Sequence, residues 1–326
     1  MATAPHEAYA VVSPESALSR VGMKPDSAEA GTAVDAPRAA SAQHVWLVTV
    51  CCLLLGLIQA TPSRGTEKPP AKSGEAWPTA VQARYRLRYN GFDVGHLDIT
   101  STTAAKSYSV AGSGKVSVLF GAITWGGSST VSGAIDGGGV PAPAKYAFDW
   151  YNNRKGGKIQ MGFKERNATE VSVTPPPDPH RDLVPLSPEH KTGVLDPVSA
   201  ILMLTKADHR PPCDRRVGIF DGKQRYDIVL TYKRQTMLPP VSGKGPAESA
   251  PVCRAMYEPV AGHRANEATK TYASNRDVEV VMRRIPGSQM YIPYSVTVPT
   301  FWGTGSMVTE YIDVSTASVG RIAMKQ

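Results

Sequence analysis

The residue types that most often carry catalysis are scattered along this chain of 326 residues, and no catalytic motif groups them. The chain contains no H-E-x-x-H, no G-x-S-x-G and no G-x-G-x-x-G at a strand–helix junction. It therefore lacks the local sequence motifs of zinc peptidases, serine hydrolases and dinucleotide-binding enzymes. The histidines after residue 60 stand singly, without a second histidine two to four positions away: His96, His180, His190, His209 and His263. We therefore predict no catalytic residue, no metal ligand and no cofactor.

Two glycine-rich stretches look like fragments of a phosphate-binding loop. Gly112–Lys115 reads GSGK, but neither Ser nor Thr follows Lys115, and the next residues favour a strand rather than a helix. Ser242–Gly245 lies in a loop bounded by prolines. We interpret both stretches as turns.

Aromatic side chains offer a better candidate for binding chemistry, because many of them fall on or near predicted strands. A curved sheet that gathers such residues on its concave face can hold an acyl chain or another apolar ligand. The alternative is that the same side chains form an ordinary hydrophobic core. The candidate ligand face comprises Tyr85, Leu87, Tyr89, Trp125, Trp150, Tyr226 and Trp302.

The clearest structural pattern is a predicted hairpin at the start of the folded region. Aromatic and aliphatic residues alternate with arginines over Arg84–Tyr89, and Asn90-Gly91 is a strong two-residue turn signal. The apolar positions change phase after Gly95, which predicts a bulge at that glycine. Folding the chain at the turn pairs Tyr89 with Phe92, Arg88 with Asp93, and Leu87 with Val94.

Further runs of strand-forming residues follow at fairly even spacing, separated by turn residues, as in an antiparallel sheet. One helix is predicted over Val198–Ala207, with Asp196 as its N-cap and Pro197 at its first position. The predicted strands are Lys115–Phe120, Ser128–Ile135, Ala144–Trp150, Lys158–Phe163, Glu170–Val173, Arg225–Tyr232, Asp277–Arg284, Tyr291–Val298 and Ser306–Val314.

The predicted fold is mainly β, a curved antiparallel sheet that forms an open barrel-like or sandwich domain with one short packed α-helix. About 240 residues remain after the N-terminal region, which suits one large β domain. We place this domain at residues 79–318 and a C-terminal tail at residues 319–326.

The N-terminal region has the composition of an export signal. Val45–Ile58 is a long run without a charge or a proline, and it ends at Gln59-Ala60. This run is shorter than the roughly 20 apolar residues of a spanning helix, which favours a cleaved secretory signal over a retained inner-membrane anchor. We interpret residues 1–43 as a disordered extension, residues 44–60 as the signal or anchor, and residues 61–78 as a linker to a periplasmic domain.

The charge of the exported part favours anionic partners. Residues 61–326 carry 33 Lys and Arg against 23 Asp and Glu, a formal charge near +10. Such a charge attracts lipid head groups or other anionic components of a cell envelope. The basic residues are dispersed, so we do not predict nucleic-acid binding, and a solvated basic surface is the simpler alternative.

Two of the four cysteines lie in the apolar run, which leaves Cys213 and Cys253 for the exported domain. An even number of cysteines outside the cytoplasm predicts a disulfide between them.

Several motifs together resemble a known family. Tyr89–Gly95 resembles its opening Y-x-G-x-x-x-G hairpin, and Gly193–Ala200, read GVLDPVSA, resembles its most recognisable motif. Phe220–Tyr226, read FDGKQRY, and Ile292-Pro293 also fit. The chain is thus similar, over about 83–315, to the bacterial envelope proteins catalogued as domain-of-unknown-function family 3108. The resemblance implies a periplasmic, β-rich domain, and it supplies no catalytic residues.

These observations favour a non-enzymatic periplasmic protein that binds a lipid or another envelope component, a lipoprotein or a glycan included. A scaffold protein that binds an envelope partner through a sheet edge or the proline-rich loop is the alternative. A hydrolase whose triad comes from distant loops, with His263 as its histidine, is the weaker third hypothesis.

Overall fold

The computed structural model describes residues 77–325, except for residues 105, 119, 120, 209, 242 and 301. The described residues fall within one compact unit, Gly74–Gln326. The predicted extension, signal or anchor, and linker up to residue 76 lie outside the described residues. Within this described part of the chain, no helix has the length and apolar character needed to cross a membrane.

The domain consists mainly of β-strands, as predicted. Two α-helices accompany them, α1 (Pro197–Thr205) and α2 (Glu267–Ser274), and a short 3-10 helix spans Pro188–Lys191. The strands are β1 (Ala80–Tyr89), β2 (Phe92–Ala104), β3 (Ser107–Val118), β4 (Ile123–Ile135), β5 (Pro141–Asn152), β6 (Gly156–Lys164), β7 (Asn167–Thr174), β8 (Asp214–Phe220), β9 (Arg225–Leu238), β10 (Glu248–Ala261), β11 (Glu279–Arg284), β12 (Tyr291–Thr300), β13 (Gly303–Thr316) and β14 (Gly320–Lys325).

All the strands belong to one antiparallel sheet, which rolls into a nearly closed barrel. Its order is β7-β6-β5-β4-β3-β2-β1-β13-β12-β11-β10-β9-β8, and β14 adds to β13. Two meanders therefore meet at β1 and β13, where Ala80 pairs with Ser315. The sheet has β7 and β8 at its two ends.

A short segment before α1 bridges the gap between these two ends. The amide of Val194 donates to the carbonyl of Arg166, in the turn between β6 and β7, at 2.8 Å. The amide of Leu195 donates to Gly218 at 3.0 Å, and the carbonyl of Leu195 accepts from Phe220 at 2.9 Å, both on β8. Val194 and Leu195 are fully buried, so the bridge is part of the core.

Helix α1 begins directly after this bridge and packs against the inside of the barrel. The side chain of Asp196 caps it by accepting from the amides of Val198 and Ser199, each at 3.0 Å. Val198 and Leu202 pack against the inner face of the first meander. The predicted helix and its cap are therefore confirmed, whereas α2, between β10 and β11, was not predicted.

The predicted hairpin forms with one change of register. Tyr89 pairs with Phe92 and Arg88 with Asp93, as expected, and the two charged side chains lie 2.7 Å apart. Leu87, however, pairs with Gly95, so Val94 is the extra residue. The bulge therefore precedes the predicted position, because Gly95 must lie against β3: a Cβ there would come within 1.9 Å of the Lys115 carbonyl oxygen.

Two other local predictions are wrong. Gly112–Lys115 is not a turn but the middle of β3, since β2 and β4 pair with it on both sides. The predicted tail at residues 319–326 contains β14, which pairs with the second half of β13 over Thr316–Tyr311. Met324 on this strand is buried against the core near Ile312 and Val314, which accounts for the ordering of the segment.

The predicted disulfide is present between Cys213 and Cys253, whose Cα atoms lie 5.1 Å apart. Cys213 immediately precedes β8 and Cys253 lies on β10, so the bond joins two strands that flank β9. Both cysteines are buried in the core of the second meander.

We expect the double variant Cys213→Ala/Cys253→Ala to fold but to lose about 4 kcal/mol of stability, the loop-closure value for a bond that closes about 40 residues. Urea unfolding of parent and variant, followed by circular dichroism, measures the difference. An unchanged unfolding midpoint contradicts this prediction, and unfolding of the parent in a reducing agent serves as the matched control.

Candidate functional site

Five of the seven residues of the predicted ligand face do lie on one face of the sheet. Residues opposite each other in antiparallel strands share a face. Tyr85 on β1 and Trp150 on β5 end a row of opposed residues that runs through Leu97, Gly114 and Gly127. A parallel row, two residues closer to the turns, contains Leu87, Gly95, Val116 and Trp125. Tyr89 continues the alternation on β1, so it shares this face.

This face is the inner one, and its aromatic residues are exposed to different extents. Tyr85 is 1% exposed and belongs to the core, where burial raises the pKa of its phenol. Trp125, by contrast, is 40% exposed. The inner face therefore changes from closed core to open surface toward the end of the barrel that carries the β1–β2, β3–β4 and β5–β6 turns.

The open part of the inner face is here called the aromatic mouth and comprises Leu87, Tyr89, Trp125, Phe148 and Trp150. The rings of Trp125 and Phe148 lie 6.4 Å apart at 35°. Glycines beside the tryptophans leave room for their rings: a Cβ on Gly127 would be 3.2 Å from Trp125 Cη2, and one on Gly157 would be 2.6 Å from Trp150 Nε1. The rings can therefore lie against the backbone of the neighbouring strands.

One polar atom interrupts this apolar surface. The hydroxyl oxygen of Tyr89 is buried, and no described residue forms a hydrogen bond with it. A buried hydroxyl normally finds a partner.

The other two residues of the predicted face lie elsewhere. Tyr226 on β9 packs in the core of the second meander, with its ring 5.2 Å from that of Tyr257. Burial raises its pKa. Trp302 lies in the β12–β13 turn and is 48% exposed, at the edge of the barrel rather than inside it. Sequence periodicity predicts where strands lie but not which strands are neighbours. It therefore does not separate Tyr226 and Trp302 from the other five residues.

A second cluster, of buried polar groups, surrounds the start of α1. Tyr108 Oη and Ser199 Oγ lie 2.7 Å apart, and both residues are buried. Asp196 is fully buried; its Oδ1 caps α1, and its Oδ2 has no hydrogen-bond partner among the described residues. Burial raises the pKa of Asp196, and burial together with the nearby Asp196 raises the pKa of Tyr146. This cluster fastens the helix to the sheet.

The aspartate of the Phe220–Tyr226 motif has a similar role. Asp221 Oδ1 accepts from the amides of Lys223 at 2.8 Å and Gln224 at 2.6 Å, which forms the β8–β9 turn. Burial raises its pKa. A Cβ on Gly222 would lie 2.5 Å from Ile159 Cγ2, so this turn packs closely on β6. Asp196 and Asp221, the aspartates of the two motifs that resemble the family, thus both accept hydrogen bonds from backbone amides.

The histidines of the described part of the chain lie apart from one another and have different neighbours: His96 Nε2 lies 3.7 Å from Asp98 Oδ2. His190 Nδ1 accepts from the amide of Ser187 at 3.1 Å, which caps the 3-10 helix. Burial lowers the pKa of His263, whose Nδ1 has no hydrogen-bond partner among the described residues. The same residues contain no group of three or more His, Cys, Asp or Glu side chains that could hold a metal ion. His209 lies outside them.

Comparisons with known proteins give one family and one similar structure. The model of the family described as "Protein of unknown function (DUF3108)" matches residues 84–309. No curated protein matches significantly. A solved beta-barrel-like protein of domain of unknown function DUF1849 from Brucella abortus is similar, with 11% sequence identity and a TM-score of 0.46. The similarity covers 73% of this chain and 99% of that one.

The buried Asp196 makes a prediction about pH. Its raised pKa means that the folded state favours the protonated carboxyl, so its contribution to stability is complete below the unfolded pKa of about 3.9 and is lost as pH rises through the folded pKa. Asp196→Asn retains an acceptor for the cap but does not titrate. We expect this variant to gain stability relative to the parent as pH rises above about 4, as measured by urea unfolding.

Asp208→Asn is the matched control with the opposite sign. Burial of Asp208 acts to raise its pKa, but hydrogen bonds and charges from Arg215 and Arg210 outweigh it and lower the pKa. This variant should therefore lose stability relative to the parent as pH rises up to about 4, the unfolded pKa, and the difference should stay constant at higher pH. A stability difference for Asp196→Asn that does not vary with pH contradicts the prediction.

Proposed function

The chain belongs to the DUF3108 family of proteins of unknown function, and from that premise we propose that it is a non-enzymatic, exported envelope protein that holds the acyl chain of a lipid or lipoprotein in the aromatic mouth. The observation that carries the proposal is the change from closed core to open surface along a single face. Tyr85 is 1% exposed and Trp125 is 40% exposed, although both project from the inner side of the sheet.

The chemistry of the mouth favours binding over catalysis. Its side chains are aliphatic or aromatic, and such surfaces bind ligands chiefly by removing apolar area from water. The hydroxyl of Tyr89 is buried and has no partner among the described residues, and a ligand that displaces the side chains covering it would reach a single polar group that can orient a carbonyl or head group. An acyl chain with a polar end matches this arrangement.

Sequence features support a location outside the cytoplasm. The apolar run Val45–Ile58 has the length of a secretory signal, and a domain with the buried Cys213–Cys253 bond suits an oxidising compartment. The formal charge near +10 of residues 61–326 suits a neighbourhood of anionic lipids. The proposed ligand and the proposed location are therefore consistent with each other.

A scaffold function is the second candidate, and the edge of the sheet favours it. Strand β7 (Asn167–Thr174) pairs only with β6 and ends the sheet order. An exposed edge can accept an extended segment of a partner as a further strand. Crosslinking in cells that gives a stoichiometric protein partner at β7 favours this function over lipid binding.

The proposed ligand site is tested with the purified full chain and palmitate that carries an environment-sensitive fluorophore. We expect the probe to bind, and Trp125→Ser to weaken binding about tenfold or more, because losing one buried aromatic contact costs about 1.5–3 kcal/mol. Fluorescence titration measures the affinity, and native mass spectrometry shows whether the purified protein retains lipid.

Tyr232→Ser is the matched control, because Tyr232 is an exposed aromatic residue on β9, a strand that contributes no residue to the mouth. Its affinity for the probe should equal that of the parent. Equal affinities for all three proteins, or a parent that neither binds the probe nor retains lipid, refute the proposed site.

A further inference from the structure

A group of exposed apolar side chains surrounds the aromatic mouth. Phe92 is 77% exposed, Tyr151 53%, Trp302 48% and Ile123 42%. We call these four residues the rim. With Trp125 they make up five of the thirteen large apolar side chains that are exposed among the described residues. Single exposed apolar residues are ordinary, but a contiguous group indicates an interaction surface.

The topology places the rim residues at one end of the barrel, with Tyr151 on the outer face of β5, opposite Gly126. They lie at the β1–β2, β3–β4, β5–β6 and β12–β13 turns, and these four turns fall at the same end of an antiparallel meander. The six neighbouring strands β13 and β1–β5 are together about 24 Å wide, at about 4.8 Å per strand. The rim is therefore a band along one end of the barrel.

Two asparagine side chains hold these turns together. Asn90 Oδ1 accepts from the amide of Thr304 at 2.8 Å, and its Nδ2 donates to the carbonyl of Trp302 at 3.4 Å. Asn153 Nδ2 donates to the carbonyl of Ala122 at 3.0 Å, and its Oδ1 accepts from the amide of Thr124 at 2.5 Å. Each asparagine thus joins two neighbouring turns, and the exposed apolar side chains are presented on a fixed backbone.

The charges beside the rim are mainly positive. The strand ends at 88–96, 115–125, 149–158 and 300–305 carry five Lys and Arg residues against two Asp. The two acidic residues contact basic neighbours, Asp93 with Arg88 at 2.7 Å and Asp149 with Lys158 at 3.7 Å. The remaining basic residues are Lys115, Arg154 and Lys155.

We propose that the rim docks the protein on the surface of an anionic phospholipid bilayer. Aromatic side chains favour the interface between head groups and acyl chains, and nearby Lys and Arg are attracted to anionic head groups. Docking in this orientation points the mouth at the bilayer, so an acyl chain can pass between them. The inference rests on the proposed function for this last step, whereas docking itself depends on the rim and its charges.

The test is co-sedimentation of the full chain with vesicles of phosphatidylglycerol and phosphatidylcholine. We expect the double variant Phe92→Ser/Trp302→Ser to bind about tenfold more weakly than the parent, and high salt to weaken the parent. Because residues 45–58 can also associate with lipid, bromine-labelled phospholipid adds a local readout. Trp302→Phe should lower the quenched fraction of tryptophan emission.

The double variant Tyr232→Ser/Met237→Ser is the matched control, since both residues are exposed on β9, away from the rim. It should bind vesicles like the parent. Equal vesicle binding by the parent and the rim variant, or an unchanged quenched fraction in Trp302→Phe, overturns docking. The parent could instead be a dimer in the absence of vesicles, with the rim substitutions dissociating it. That result assigns the rim to a contact with a second copy of the chain and also overturns docking.

The fluorescent palmitate separates this inference from the proposed function. Without vesicles, the rim variant should bind the probe like the parent, and Trp125→Ser should bind vesicles while losing the probe. Vesicle binding through the rim without any probe binding retains the docking surface and rejects the acyl site. Probe binding without rim-dependent vesicle binding rejects only the docking surface.

Discussion

The fold depends on closing a long antiparallel sheet whose two end strands would otherwise leave their backbone groups unpaired. Val194 and Leu195 meet this constraint at β8, to which Leu195 bonds, and at the β6–β7 turn, to which Val194 bonds, whereas β7 itself pairs only with β6. Unpaired strand edges invite association with other chains, so this segment covers part of β8 and leaves the edge of β7 open. The chain then enters the barrel as α1, which fills the inner face of the first meander and leaves the aromatic residues near the turns uncovered.

This arrangement brings polar groups into the interior, where each needs a partner. Asp196 satisfies two amides at the start of α1, and Asp221 does the same at the β8–β9 turn. Burial raises the pKa of both carboxyls. The two most distinctive motifs of the sequence thus serve the architecture: one fixes the helix to the closing segment, and the other shapes the turn that packs on β6.

Local patterns predicted local structure well. The Asn90-Gly91 turn, the Asp196-capped helix and most strands follow from residue types alone, and the cysteine count identified the disulfide. Features set by distant contacts were missed. Gly95 and the Gly112–Lys115 stretch adapt to neighbouring strands, β14 is ordered by β13, and Tyr226 faces a different core from Trp125. Residue type alone therefore selected five residues that share the inner face, but which residues share it became clear only from the strand order.

The pairing of β1 with β13 has a consequence for how the chain acquires its structure. Thr79 and Ser315, which are 236 positions apart, form a side-chain hydrogen bond beside this pair. Every other pair of neighbouring strands is consecutive in the chain, so this one pairing must close a large loop, and the closure of large loops slows folding. The barrel cannot be completed until β13 has been synthesised. A nascent chain of this topology therefore stays incompletely folded through most of its synthesis, the state in which a polypeptide can be threaded through a narrow translocation channel.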